Sequence, residues 1–227
     1  MKIEIDTVYN IDCLELMREM VRQGIKADWC ITDPPYGIGE DGEKNHSRGT
    51  KRAPAKQFIA KSWDEQRIGE EYFDLMFQCS KNQLIFGGNY YTDILPPTNN
   101  WAVWDKRCSD NQKNDFSDCE LAWVSLGGAR MFRYLYNGML QGDMANKDVR
   151  FHPTQKPTQL WKKILGYYTK EGDLILDPFM GSFTTAVCCH KMQRHFIGAE
   201  LDKDYFALGY ERYRKETAQM SIFDLER

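Results

Sequence analysis

The segment Asp173–Ser182, with the sequence Asp-Leu-Ile-Leu-Asp-Pro-Phe-Met-Gly-Ser, predicts a strand that leads into a tight turn. Its apolar start is typical of a buried strand, and the apolar residues from Phe183 to about Met192 predict a helix directly after the turn. A glycine in such a turn lets a ligand approach the backbone, and the free N–H groups of the next helix can bind it. A second predicted strand, Arg194–Glu200, ends in a carboxylate that can hold two ribose hydroxyls. The pattern predicts a nucleoside-like ligand, although it lacks the G-x-G-x-x-G of dinucleotide sites.

A second turn, Asp33–Tyr36, has the sequence Asp-Pro-Pro-Tyr and follows the predicted strand Ala27–Thr32. The Asp33 carboxylate and the Pro34 carbonyl, held side by side, can accept both hydrogens of an exocyclic amino group, and the Tyr36 ring can stack on a base. These residues at a strand end indicate methyl transfer to a nucleobase amine. The alternative is a proline-stiffened turn with one solvated aspartate.

Three motifs together resemble the DNA amino-methyltransferases that use S-adenosylmethionine, in the type where the Asp-Pro-Pro-Tyr half precedes the cofactor half. They are Asp33–Tyr36, His152–Pro157 (His-Pro-Thr-Gln-Lys-Pro) and Asp177–Ser182, in that order, and the similarity covers most of the chain. Asn10–Leu16 is similar to the family's Gly-Asp-Cys-Leu segment. Asn10 stands where glycine is usual, and both residue types tolerate a left-handed backbone.

The resemblance implies two sets of site residues. The catalytic set is Asp33, Pro34, Pro35 and Tyr36. The set that binds S-adenosylmethionine is Asp12, Thr154, Lys156, Asp177, Phe179, Gly181, Ser182 and Glu200, with Glu200 on the ribose and Thr154 and Lys156 near the cofactor's carboxylate. The alternative for Lys156 is a surface lysine in a proline-bounded loop. No metal is expected.

The fold class expected from the resemblance and the element pattern is α/β, a Rossmann-like methyltransferase fold with a mainly parallel sheet, an antiparallel edge and helices on both faces. The 227 residues suit one catalytic domain, 1–227. Met1–Asp6 alternates like a strand. The predicted helices span about 12–23, 70–81, 158–169 and 203–217, and the predicted strands include 82–88 and the edge strands 101–104, 118–124 and 130–136.

Charge gives a mixed indication about nucleic acid. The formal net charge of −3 and the pI near 5.9 argue against a nucleic-acid binder. However, residues 40–62 form a basic loop that is predicted to bind double-stranded DNA and that has no acidic residue from 44 to 61. Its cations are Lys44, Arg48, Lys51, Arg52, Lys56 and Lys61. A solvated loop is the alternative, and residues 137–151 are a short candidate target-recognition segment.

The C-terminal tail, 218–227, contains Gln219–Phe223, which resembles the short peptide by which bacterial enzymes dock to the replication sliding clamp. The alternative is that its apolar residues fold back onto the core. A homodimer also remains open. The seven cysteines form no C-x-x-C pair, so we expect reduced, mostly buried thiols and no zinc site. The longest apolar runs are far shorter than a membrane span and Met1–Asp6 does not resemble a signal peptide, so we expect a cytoplasmic enzyme, bacterial or phage-encoded.

Several functions remain open on sequence grounds. Adenine-N6 methylation of a flipped-out base in DNA is the leading hypothesis, because aspartate rather than serine precedes Pro34-Pro35. Cytosine-N4 methylation is the nearest alternative, since the same motif order serves both amines. RNA or protein methylation and a non-catalytic DNA-binding protein are the further alternatives.

Overall fold

The computed structural model describes residues 1–39, 64–107, 117–137, 140–145 and 147–223. Its helices are α1 (Cys13–Arg22), α2 (Glu70–Cys79), α3 (Thr158–Tyr168), α4 (Thr184–Lys191) and α5 (Lys203–Phe223). Its strands are β1 (Thr7–Tyr9), β2 (Ala27–Thr32), β3 (Ser80–Phe86), β4 (Trp101–Asp105), β5 (Cys119–Val124), β6 (Arg130–Arg133), β7 (Tyr136–Asn137), β8 (Leu140–Gln141), β9 (Leu174–Asp177) and β10 (His195–Ala199).

Eight of these strands form one sheet in the part of the chain that the structure describes, in the order β1-β10-β9-β2-β3-β5-β4-β6. The first five in this order are parallel, and β5 runs antiparallel to both β3 and β4. The chain therefore has the predicted α/β architecture, with a mainly parallel sheet. The carboxyl ends of β2, β3, β9 and β10 all lie at one edge, together with the amino end of β5.

Successive residues of the central strands pack on opposite faces of the sheet, as the period of two requires. Trp29 and Ile31 belong to the core under α3, α4 and α5, whereas Cys30, which lies between them, belongs to the core under α1 and α2. Both faces are thus covered by helices. This explains why β2 is apolar over most of its length instead of alternating.

Three predicted elements differ from the structure. The N-terminal strand is β1, Thr7–Tyr9, and not Met1–Asp6, because Asp6 has a left-handed backbone (φ 59°) that turns the chain before β1. The strand β6 pairs with β4 in parallel, so the predicted antiparallel edge is limited to β5. The last helix continues through Phe223 instead of ending near Thr217, because residues 217–223 contain no glycine or proline to stop it.

Other sequence predictions have mixed outcomes. Trp104 and Trp123 are buried, and Trp101 is partly buried. Cys13, Cys30, Cys79, Cys188 and Cys189 are buried, whereas Cys119 is exposed. Residues 40–62 with their six cations, Cys108 and residues 224–227 lie outside the described residues. None of the helices in the described part of the chain combines the length and the apolarity needed to cross a lipid bilayer.

Candidate active site

Two of the sequence motifs meet because β2 and β9 are neighbours in the sheet. Cys30 lies opposite Leu176, so the turns after β2 and β9 emerge side by side. At this junction the Thr32 hydroxyl donates to the buried Asp177 carboxylate (Oγ1–Oδ1 2.7 Å), and the Thr185 hydroxyl donates to its other oxygen. Burial raises the pKa of the Asp177 carboxyl to about 6, against the effect of these hydrogen bonds. Asp177 therefore joins the two motifs instead of facing solvent.

The Asp-Pro-Pro-Tyr loop is held by residues that sequence analysis did not select. One carboxylate oxygen of the buried Asp64 accepts from the backbone N–H groups of both Tyr36 and Gly37, each at 2.8 Å. The Tyr91 hydroxyl donates to the Pro35 carbonyl. Because the backbone is held on both sides of Tyr36, the preceding Asp33 and Pro34 occupy fixed positions at the end of β2.

The Tyr36 ring lies against the exit of β3. Gly87 has φ +66°, and a Cβ added there would overlap the Tyr36 ring, so this position requires glycine for both its backbone and its close contact. Tyr90 stacks on Tyr36 with ring centroids 4.9 Å apart and an interplanar angle of 16°. Tyr90 is 39% exposed. A base can stack on this face of Tyr36 only after Tyr90 has moved aside.

The Asp33 carboxylate has two neighbours that the sequence did not place beside it. One of its oxygens accepts from the Tyr36 hydroxyl and the other pairs with the Lys156 ammonium. Lys156 is only 8% exposed, and its Nζ also lies 3.2 Å from Oε2 of Glu120. The other oxygen of Glu120 pairs with Lys106 at 2.6 Å. The result is a row of alternating charges from Lys106 through Glu120 and Lys156 to Asp33.

The pKa values in this row reflect competition between burial and pairing. Burial raises the pKa of the Asp33 carboxyl, and the nearby Lys156 ammonium offsets only part of that effect. Burial alone would lower the pKa of Lys156, but Asp33 and Glu120 outweigh it and leave that pKa raised. For Glu120, the Lys156 and Lys106 ammonium groups outweigh burial and lower the pKa. The cluster thus stabilises a charged lysine between two acids.

The predicted cofactor residues gather at the ends of β1, β9 and β10. The Glu200 carboxylate accepts from the N–H groups of Gly181 (2.7 Å) and Asp202 (2.8 Å), which joins the turn after β9 to the end of β10. Burial raises the pKa of Glu200 to about 7. Asp12 lies beyond β1 as the N-cap of α1, where its carboxylate accepts from the Leu14 N–H at 2.8 Å.

Asn10 does not have the left-handed backbone that the sequence allowed for it. Its side chain instead makes the contacts of this position. It is absent from the positive-φ residues of the described chain, and its amide donates to the Glu200 carbonyl at 2.7 Å and to the Leu201 carbonyl at 3.1 Å. Asparagine at this position therefore ties the end of β10 to the segment before α1.

The His-Pro-Thr-Gln-Lys-Pro segment packs beside Gly181. The His152 ring is buried, lies 4.2 Å from the Tyr205 ring centroid to centroid, and its Nδ1 is 3.2 Å from the Thr154 hydroxyl. Burial, reinforced by the Lys156 charge, lowers the pKa of His152 to about 3, so the ring is neutral near pH 7. Thr154 stays near the predicted cofactor residues, whereas the Lys156 side chain points to Asp33.

Phe179 and Ser182 complete the turn after β9. Phe179 donates its N–H to Asp177 (3.2 Å), and the Ser182 hydroxyl lies 3.0 Å from that of Thr184. Sequence analysis therefore selected residues that come together in two adjoining groups, one around Asp33 and one around Glu200. It missed Asp64, Tyr91 and Glu120. The available signal for Glu120 was an acidic residue within the apolar strand pattern Cys119–Val124.

This arrangement can hold a planar amine next to a nucleoside-like ligand. The Asp33 oxygens each have one partner named above, and a carboxylate oxygen has two lone pairs, so each can accept a further hydrogen. Among the described residues none donates a hydrogen bond to the Pro34 carbonyl. The site thus offers two acceptors at the end of β2, and a carboxylate with turn N–H groups at the ends of β9 and β10.

Comparison with known proteins identifies a family for this architecture. A family model described as DNA methylase, for N6 and N4 methyltransferases, matches residues 89–211. The chain is 35% identical over 252 aligned positions to the type II methyltransferase M2.MboI of Moraxella bovis, with 92% of this chain and 88% of the relative covered. It is 46% identical over 61 residues to the DNA adenine methyltransferase YhdJ of Escherichia coli K12, which covers 27% of this chain.

The regions of high identity are short. In four relatives that are 39–48% identical, YhdJ among them, the matched stretch spans only 21–24% of the relative. Among solved structures, the M1.HpyAVI–SAM complex superposes with a TM-score of 0.57 at 23% identity and covers 91% of this chain and 98% of that one. This similarity supports the fold.

The buried neutral His152 generates a prediction about stability and pH. The unfolded chain binds a proton at this residue below about pH 6.5, whereas the folded protein does so only near pH 3. Its contribution to stability is therefore present above pH 6.5 and is lost as the pH falls toward 3. We expect the free energy of unfolding, measured with urea at pH 7, 6 and 5, to decrease as the pH is lowered. The decrease should be smaller in His152→Gln than in the unmodified protein. Parallel pH profiles for the two proteins would contradict this.

Proposed function

Because the chain belongs to the N6 and N4 DNA methylase family, we propose that it transfers a methyl group from S-adenosylmethionine to the exocyclic N6 of adenine in double-stranded DNA. The observation that carries this proposal is the pair of acceptors at the end of β2, the Asp33 carboxylate and the Pro34 carbonyl. An amine hydrogen on each acceptor would fix the nitrogen and draw its lone pair out of conjugation with the ring. Asp33 acts first as a hydrogen-bond acceptor and then as the base that takes the proton.

The residues around Glu200 fit S-adenosylmethionine, which supplies an electrophilic methyl group when bound. Glu200 is a carboxylate at the end of β10, and its lone pairs beyond those used by Gly181 and Asp202 can accept ribose hydroxyls. Ser182 and Gly181 form the turn before α4, whose N-terminal N–H groups can bind polar atoms of the cofactor. Asp12, Phe179 and Thr154 border the same edge. Asp177 supports this site indirectly, because its carboxylate oxygens accept hydrogen bonds from the Thr32 and Thr185 hydroxyls.

Adenine is favoured over cytosine by the residue before the two prolines. An aspartate at this position is typical of enzymes that methylate adenine, and the relative YhdJ is named a DNA adenine methyltransferase. The runner-up is cytosine N4, since the same two acceptors suit either amine.

Access to the amine requires that the base leave the duplex, because the nitrogen is stacked and paired inside it. Tyr90 is the group that would move to admit the flipped base to the Tyr36 ring. Stacking on Tyr36 and the two hydrogen bonds would offset the few kcal/mol of lost pairing and stacking. Backbone contact by the basic loop 40–62 remains a prediction.

Residues 137–151 are proposed to read the target sequence. In the described part of this segment the side chains of Leu140, Met144 and Val149 are 52%, 54% and 78% exposed. Asp148 anchors the segment to the start of α3, since its carboxylate accepts from the N–H (2.8 Å) and the hydroxyl (2.6 Å) of Thr158. Exposed aliphatic side chains on an anchored segment can contact thymine methyl groups in the major groove.

Two partner predictions are not part of this proposal. Docking of Gln219–Phe223 to a sliding clamp stays a prediction, and the backbone of this segment is helical. Homodimer formation also stays a prediction.

The central test is transfer of labelled methyl groups to unmethylated genomic DNA, followed by mass spectrometry of the nucleosides. We expect N6-methyladenine, and a loss of at least about 100-fold in kcat for Asp33→Asn, since positioned acid–base groups contribute roughly 10²–10⁴. Asp74→Asn, a change of an exposed aspartate on α2, is the matched control and should keep full activity. N4-methylcytosine would select the runner-up, and unmethylated DNA would refute the proposal.

The role of Glu200 is tested by calorimetric titration with S-adenosylmethionine. We expect Glu200→Gln to weaken binding by about 10- to 100-fold, since a hydrogen bond to a charged group is worth roughly 1.5–3 kcal/mol. Because the pKa of Glu200 is about 7 and the ionised form is the acceptor, affinity should rise from pH 6 to pH 8 in the unmodified protein but not in Glu200→Gln. Glu211→Gln, which removes an exposed charge on α5, is the control. Equal affinities in the three proteins would exclude Glu200 from the cofactor site.

The target-recognition segment is tested by replacing Leu140, Met144 and Val149 together with serine. We expect the KM for DNA to rise by roughly 10-fold or more, since a lost base contact costs about 1–3 kcal/mol. Affinity for S-adenosylmethionine should not change. Leu126→Ser is the control, because Leu126 is 45% exposed and follows β5 at the opposite edge of the sheet. An unchanged KM would remove this segment from target recognition.

A further inference from the structure

The lysine of the His-Pro-Thr-Gln-Lys-Pro segment is held between two acids in the interior. Its ammonium pairs with Asp33 and lies 3.2 Å from Oε2 of Glu120, and its Nζ is 5.1 Å from the centroid of the Phe86 ring. A buried ammonium needs several such contacts to offset its lost hydration. Because the ammonium contacts Asp33, the proposed hydrogen-bond acceptor for the amine, we expect it to have a role beyond folding.

We propose that Glu120 and Lys156 are positioning residues for Asp33, with Glu120 fixing the Lys156 ammonium and Lys156 holding the Asp33 carboxylate ionised and aimed at the amine. This inference rests on the proposed function for its catalytic consequence. It assigns Glu120 a role that no sequence motif indicates, and it gives Lys156 a task at the amine site instead of at the cofactor's carboxylate.

The direction of β5 explains how Glu120 reaches the site. Because β5 is antiparallel to β3, its first residues lie at the edge where the parallel strands end. Glu120 pairs in register with Trp104 of β4, and Lys106, just beyond β4, binds its Oε1 at 2.6 Å. The second oxygen of Glu120 is fully buried and has Lys156 as its cationic neighbour. The glutamate is thus held at one end and presents its other end to the lysine.

The backbone of Lys156 is also fixed. Its carbonyl accepts from the Thr184 hydroxyl at 3.3 Å, and the next residue, Pro157, is the N-cap of α3. With both ends of the side chain restrained, the ammonium cannot move far from Asp33. Contact with a cofactor carboxylate would require it to leave two anionic partners inside the protein, which is costly.

Removal of the lysine charge would leave the two acids facing each other without a cation between them. Burial already raises the pKa of the Asp33 carboxyl, Glu120 raises it further, and Lys156 is the cation that lowers it. Without Lys156, Asp33 would take up a proton at a higher pH and lose its function as an acceptor. The charged and titratable groups that influence Asp33 from the surrounding elements are Tyr36, Tyr91, Glu120, Lys156 and Asp177.

The first variant is Lys156→Met, which keeps most of the length of the side chain and removes its charge. We expect kcat to fall about 10- to 100-fold, as for misplaced catalytic groups, and the acidic limb of the kcat–pH profile to move to higher pH. Calorimetry should show an unchanged affinity for S-adenosylmethionine, which also establishes that the variant is folded. Weaker cofactor binding with an unmoved acidic limb would overturn the inference and return Lys156 to the cofactor.

The second comparison is Glu120→Ala against Glu120→Gln. Alanine removes the carboxylate that pairs with Lys156, so kcat should fall while cofactor affinity is kept. Glutamine retains an oxygen that can accept from an ammonium group and should restore most of the lost kcat. Equal kcat in Glu120→Ala and the unmodified protein, or equal losses in the two variants, would contradict the role of Glu120.

A readout without turnover separates this inference from the proposed function. The ionisation of Asp33 can be followed by carbon-13 NMR of aspartate carboxyl groups in the protein alone, with Asp33→Asn for assignment. We expect the pH at the midpoint of the Asp33 titration to be higher in Lys156→Met than in the unmodified protein. An unchanged midpoint would refute the inference. If the unmodified protein methylates no DNA, the proposed function fails, but the NMR midpoint still decides whether Lys156 controls Asp33.

Discussion

The cost of burying charge is the constraint on which the candidate site depends. Asp33, Lys156 and Glu120 lie on three separate segments, and none of them would be stable in the interior as a lone ion. Their mutual pairing ties the loop after β2, the segment before α3 and the start of β5 into one unit. A group that must accept hydrogen bonds from a neutral amine can therefore stay charged out of water, and the loop that carries it is fixed by the same contacts.

The sheet brings these segments together through strand direction. The parallel strands β2, β3, β9 and β10 deliver Asp33, Gly87, Asp177 and Glu200 to a common edge. One reversed strand, β5, adds its beginning to that edge and contributes Glu120. The amine side and the cofactor side then meet at the contact between Thr32 and Asp177, which joins residues 145 positions apart in the sequence.

Sequence reasoning could predict the part of the site that follows continuous apolar runs. The strands before Asp33, Asp177 and Glu200 are buried on both faces, so their patterns are apolar and their ends are visible. The position of Glu120 was not predictable in this way. It depends on the direction of β5 in the sheet, and that direction is determined by the pairing of β5 with β3 and not by the sequence of β5 itself. Asp64 was not predictable either, because it binds backbone N–H groups of a loop that is distant in the sequence, and backbone groups leave no residue pattern. The parallel pairing of β6 also depends on the neighbouring strand and not on its own four residues.

The pairing of β1 with β10 also has a consequence for how the chain folds. Thr7 lies opposite Ile197, so β1 gains its hydrogen-bonded neighbour only after β10 has been synthesised. The centre of the sheet is also completed late, since β2 pairs with β3 on one side but needs β9 on the other. Such long sequence separations slow folding, and during synthesis they leave early strands with open edges. A nascent chain released before residue 200 would leave the edge of β1 unpaired and open to aggregation.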